Sequence, residues 1–268
     1  MKKVRKVYQT GSFREVRDVW ASDRYRPRGP RLKGNARKSQ MDANLKAARR
    51  AALRIVNGNF SYRKGDLLCT HNFSDQYLPK SRAEAWELFS KKFLPLLRKL
   101  GKKAGKEVKY FAVVSDMDGQ TKQDERVHIH VVFSGVTMEQ LRECWSFGTV
   151  DCRSLRKEKT YARLVNYLLN QCRCEPDEKK WHTSRNLERT RLLSETEIMG
   201  NPRYRLPKGA EIIAQGEYCP EEGKLLDLQI LMPEPEQRST TPPPPKGATS
   251  PDKGRHRLGG REKTNRKE

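Results

Sequence analysis

Val127-His128-Ile129-His130-Val131-Val132-Phe133 sets two histidines two residues apart in a run of β-branched and aromatic residues. Residues of this kind favour a strand. On a strand, residues i and i+2 face the same way, so His128 and His130 project side by side from one sheet surface. Two imidazoles so placed suit one shared metal ion. The same pair also fits a packed sheet face without metal. The other three histidines lie elsewhere, so the pair is not part of a His-rich tract.

The flanks read as a sheet with helices. Asp66 to Phe73 is a strand, and Ser81 opens a helix with Glu84 three residues on as a capping box. That helix passes Trp86, Phe89, Phe93 and Leu97, with Pro95 as a kink or break. Lys109 to Val114 is a strand, and Val127 to Phe133 is its antiparallel partner across a polar loop. Thr137 starts a helix that ends near Trp145. Val150 to Cys152 is a short strand, and Lys159 to Cys172 is a helix with Leu164, Val165, Leu168 and Leu169 as its apolar face. Glu211 to Ala214 and Leu225 to Leu231 read as late strands. Ala43 to Val56 is a helix with one apolar stripe and a basic face, stopped by Asn57-Gly58. Helices and strands interleave without a regular βαβ period, which favours an α+β fold with a mainly antiparallel sheet.

Composition narrows the partner. The 268 residues carry a net charge of +23, with 33% charged and 35% hydrophobic residues. Such a balance calls for a polyanion, and nucleic acid is the first candidate. About half of the excess charge lies in the first 50 residues. Residues 1–42 read as a flexible basic arm, with Arg24, Arg26, Arg28, Arg31, Lys33 and Arg37 available to phosphates. Arg49 and Arg50 extend that basic surface onto the first helix. Residues 233–268 include a polyproline run at Pro242 to Pro245 and read as a disordered basic tail. No apolar run is long enough to cross a membrane, and the basic start is followed by no apolar segment of a signal peptide. Six scattered cysteines form no CxxC pair and read as reduced thiols of a cytoplasmic protein.

Two imidazoles rarely complete a metal site. The strand ahead of the polar loop ends in Ser115-Asp116-Met117-Asp118, beside the start of the histidine strand in an antiparallel hairpin. Asp116 is the first choice for a third ligand and Asp118 the second, although both also suit a turn. A metal beside a phosphate still needs a nucleophile. Tyr161 and Tyr167 lie on the helix that follows, on different faces of it, so one of them at most reaches the metal.

The ordered set resembles the replication initiators of the HUH endonuclease superfamily. It is most similar to the rolling-circle replication-associated proteins of phages, plasmids and integrated elements. His128-Ile129-His130 matches the His-hydrophobic-His strand. Leu67 to Phe73 with Thr70, followed by Pro79, matches the upstream motif. Lys106 to Phe111 resembles the approach to the acidic ligand, Tyr161 to Leu169 the nucleophile helix, and Trp181 to Leu187 a Trp-x-x-Ser-Arg-x-Leu segment that contains Arg185. The match spans about residues 43–190.

The resemblance implies an HUH nuclease domain over 43–232, including a C-terminal extension, with a central five-stranded sheet and helices on one face. It implies nicking of single-stranded origin DNA in a bacterial cytoplasm. Tyr167 becomes the nucleophile, and His128, His130 and Asp116 hold Mg²⁺ or Mn²⁺. The products are a 5′-phosphotyrosine and a 3′-OH for a host polymerase. No GxxxxGK[ST] loop is present, so a helicase is a partner. Two positions depart from the pattern. Asn170 stands where the family often has Lys, and the acidic ligand falls on Ser115 in an ungapped match, one residue before Asp116. His71, near the first motif, is a further candidate at the site. A non-catalytic nucleic-acid-binding protein, or an HUH transposase or relaxase, fits the same residues.

Overall fold

The computed structural model describes residues 2–21, 38–172, 179–201, 203–218 and 225–233. In chain order the elements are β1 (Lys2–Thr10), β2 (Phe13–Ala21), α1 (Lys38–Asn59), β3 (Leu67–Phe73), α2 (Arg82–Leu88), α3 (Leu94–Lys103), β4 (Lys109–Met117) and β5 (Asp124–Ser134). There follow α4 (Met138–Cys144), β6 (Gly148–Ser154), α5 (Ala162–Asn170), β7 (His182–Thr183), β8 (Arg191–Glu197), β9 (Glu211–Tyr218) and β10 (Leu225–Leu231). They form an α+β fold with two antiparallel five-stranded sheets, ordered β6-β3-β5-β4-β7 and β8-β1-β2-β10-β9.

The histidine sheet is covered on both faces, not one. Its odd-numbered β5 residues, Ile129, Val131 and Phe133, pack with Phe89, Phe93 and Leu97 beneath α2 to α4. Its even-numbered Val132 packs with Phe111 and Val113 against Ala52 and Val56 of α1 and Val165, Leu168 and Leu169 of α5. The period of two along β5 thus serves two cores, which explains its nearly continuous apolar run. Between α2 and α3, Phe89–Phe93 widens into a π-turn. Pro95 has no N–H to give to the turn before it, and the wider turn absorbs the break.

The second sheet overturns the flexible-arm reading for residues 2–21. Residues 2–21 form a hairpin, paired Thr10 to Phe13 across Gly11-Ser12. Gly11, at φ 52°, takes the first turn position, as a type II′ hairpin requires. The cations that gave this segment its arm-like look are paired. Arg5 meets Asp18 at 2.8 Å, and Lys6 meets Glu195 at 3.0 Å. Glu15, 2% exposed, takes both Arg50 and Arg54 of α1. Removing one partner of such a buried pair leaves the other charge stranded and costs about 3–5 kcal/mol. Residues 22–37, with Arg24, Arg26, Arg28, Arg31, Lys33 and Arg37, lie outside the described residues, as does the tail from 234 on.

α1 runs through Asn57-Gly58, which does not stop it. Gly58 serves a different end. A Cβ there would overlap the Thr10 carbonyl, and a Cβ on Gly11 would overlap the Gly58 carbonyl. The two glycines let α1 lie directly on the hairpin turn. Cys69, Cys144 and Cys152 are free thiols, but Cys172 is disulfide-bonded, against the expectation of six reduced thiols. No spacing rule in the sequence singles it out. No described helix is long and apolar enough to cross a membrane.

Candidate active site

β5 lies between β3 and β4, so each histidine has a neighbour on either side. His130 stands opposite Thr70 and Val113, and His128 opposite Asn72 and Ser115. Residues directly opposed on antiparallel strands share a face. That face is the one α5 covers. His130 is 4% exposed there, and the Tyr167 ring of α5 lies 5.4 Å from its ring, centroid to centroid.

The two imidazoles converge. His128 Nε2 and His130 Nε2 are 3.0 Å apart. Two nitrogens bound about 2.1 Å from one ion stand about 3.0 Å apart at a right angle and about 3.4 Å apart at the tetrahedral angle. That spacing suits one shared ion and equally an N–H···N hydrogen bond between the two rings. The other ring nitrogens are hydrogen-bonded as well. His128 Nδ1 is 2.8 Å from the Arg126 carbonyl, which only accepts, so Nδ1 carries the proton and Nε2 is bare. His130 Nδ1 is 3.0 Å from Thr70 Oγ1, a hydroxyl that donates or accepts. Thr70 thus holds the ring in either tautomer, as an outer partner of a ligating histidine does. Burial is the main cause that lowers the His130 pKa to about 3, with the charges of His128 and Arg153 adding to it and the Gln171 amide opposing it. His130 is therefore neutral at ordinary pH, the form that ligates.

Ser115 faces the site across from His128, and the β4–β5 register shifts between Ser115 and Met117, at Asp116. The Asp116 N–H donates to the Gln171 carbonyl at 3.3 Å. Asp118 organises the loop instead, its Oδ1 accepting from the N–H groups of Gln120 and Thr121. These bonds hold its pKa below the usual carboxylate range. Among the described residues no group of three His, Cys, Asp or Glu side chains could hold a metal. Two oxygens near the pair are also buried, Ser115 Oγ without a hydrogen bond and Gln171 Oε1 beside His130. Two imidazoles with neutral oxygens fit a transition ion such as Mn²⁺ better than Mg²⁺, which prefers carboxylate and water. Gln171 escaped the sequence reading. Its signal was position, four residues past Tyr167 and so one helical turn on.

The two tyrosines are separated by burial. Tyr167 is 44% exposed and Tyr161 is 6% exposed. Tyr161 Oη accepts from the Tyr62 N–H at 3.0 Å, which ties it into the packing at the start of α5. Asn170 Oδ1 accepts from Arg49 Nη2 at 2.7 Å, and the Asn170 carbonyl accepts from Lys122 Nζ at 3.0 Å. Two cations thus meet at the place where a lysine was missing. Lys122 is the one non-glycine with positive φ among the described residues, at 60°.

Three other expectations move. His71 points away from the site, into an aromatic box of Phe89, Phe93, Phe133 and Trp145, with ring centroids 4.7 to 5.9 Å away. Arg50 is paired with Glu15 and Asp227. Arg185 lines a separate basic cavity with Arg98, Lys102 and Lys106. No family model, no curated protein and no solved structure matches this chain.

Proposed function

We propose that this chain is an HUH-type nuclease that nicks single-stranded DNA and joins itself to the cut end. The observation that carries the reading is the approach of Tyr167 to His130, 5.4 Å ring to ring, beside two Nε2 atoms 3.0 Å apart. A divalent cation held by His128 and His130 would supply Lewis-acid polarisation of the scissile phosphate. Tyr167 Oη attacks the phosphorus. One O–P bond forms and the P–O3′ bond breaks. The phenol proton passes to solvent, and the departing 3′ oxygen takes one up. A free phenol with a pKa near 10 is a weak nucleophile, so nearby positive charge matters. Lys122 and Arg49 at the end of α5 supply it. The product pair, a 5′-phosphotyrosine and a 3′-OH, suits initiation of rolling-circle replication, with polymerase and helicase supplied by the host.

A second reading has its own support. The described residues bring no third acidic or histidine ligand to the pair, which fits a protein that binds nucleic acid without cutting it. One gel separates the two. The full chain is incubated with single-stranded DNA and Mn²⁺ and run under denaturing conditions. A covalent adduct that disappears in Tyr167→Phe supports the nuclease. DNA binding with no adduct under any divalent cation supports the second reading.

A further inference from the structure

Tyr167 lines a cavity of about 250 Å³ together with Arg153, Arg156 and Arg163. Elsewhere the guanidinium groups of Arg5, Arg50, Arg54 and Arg126 are matched to carboxylates. These three side chains make no hydrogen bond or ion pair among the described residues. Three unmatched guanidiniums around one cavity repel one another, and an arriving phosphate relieves that repulsion. Leu155 and Leu164 give the cavity an apolar wall, of the kind on which a base rests. Glu158 sets one carboxylate in the same lining, and it too has no partner among the described residues. A carboxylate only accepts, so it asks for a ligand that donates.

Cations for a phosphate, an apolar wall for a base and one acceptor for an amino group describe a nucleotide. We propose that this cavity takes one nucleotide of the single strand adjoining the cut, and that Glu158 selects a base with an exocyclic amino group, cytosine over thymine. Cytosine N4 donates two N–H groups to a carboxylate, whereas the single thymine donor, N3–H, stands between two carbonyl oxygens that repel the carboxylate. The position beside the cut rests on the nuclease reading, but the base preference does not.

The test uses the full chain in EDTA at about pH 8, so that no cleavage intervenes. Fluorescence anisotropy follows binding of labelled oligo(dC) and oligo(dT) of about ten nucleotides. Oligo(dC) is expected to bind about tenfold tighter. Glu158→Gln, whose amide both donates and accepts, brings the ratio close to one. Joint replacement of Arg153 and Arg156 by Ala weakens both ligands equally and lowers the salt slope by about 1.4. Equal affinity of the native chain for the two oligonucleotides overturns the proposal, as does a preference that survives Glu158→Gln. A preference without any adduct in Mn²⁺ defeats the nuclease reading alone, and an adduct without preference defeats the pocket alone.

Discussion

Arg49 Nη2 donates to Asn170 Oδ1 at 2.7 Å, three residues past Tyr167 on the same helix. A cation borrowed from α1 thus reaches the end of α5 through a neutral amide, and Lys122 adds a second from the β4–β5 loop. If this charge assists the tyrosine, Arg49→Ala and Lys122→Ala each slow adduct formation by about tenfold, close to 1.4 kcal/mol of barrier. Arg49→Lys recovers part of the rate. Unchanged adduct kinetics in both alanine variants would show that these contacts only cap the helix.

The metal is expected to be Mn²⁺ and not Mg²⁺. Titration followed by the Mn²⁺ electron-spin signal should show one site, lost in His128→Ala or His130→Ala. Gln171→Ala weakens it severalfold, because it removes an oxygen buried beside His130. Asp116→Asn tests the acidic ligand at the shifted end of β4: a loss like that of the histidine variants assigns it to the metal, and binding kept within about twofold removes it.

Acid should expose His71. Burial among aromatic rings lowers its pKa to about 3, against about 6.5 in an unfolded chain. The unfolded chain takes up the proton first, so this contribution is whole above about pH 6.5 and is lost as pH falls toward 3. The loss is about 1.4 kcal/mol per pH unit in that window. Urea unfolding at several pH values should show it, and His71→Phe should remove about one proton from the slope between about pH 6 and 4. A slope that does not change would mean that the box opens and admits water.

Gly58→Ala should destabilise the fold by about 1–3 kcal/mol, the range for forcing atoms into a packed contact. Alanine is otherwise the better helix former. A melting temperature that rises would therefore show that α1 and the hairpin turn do not touch.

The two sheets differed in legibility for a physical reason. Lys109–Met117 and Asp124–Ser134 are buried on both faces and carry unbroken β-branched and aromatic runs that read directly as strands. The stretch from Lys2 to Ala21 hides the same period under Lys3, Arg5, Arg14 and Arg17, whose partners lie nearby or far along the chain. Arg191–Glu197 is exposed throughout and has no apolar alternation to read. At the site, the histidines and Tyr167 were legible because chemistry restricts them to few residue types. Ser115 and Gln171 were not, because hydroxyls and amides are common and only the register aims them.

The second sheet also fixes when the molecule can be finished. β1 and β2 precede every other described strand, yet β8 closes one edge of their hairpin and β10 the other. Nearly the whole domain must therefore be synthesised before that hairpin has its neighbours, and pairings of such long separation form slowly. The histidine sheet has every strand by residue 183 and does not wait. A nascent chain would thus hold its tyrosine and histidines together while the charged hairpin still offers two open edges. The strand at Leu225–Leu231 closes the second of those edges and passes the sheet's rim on to β9.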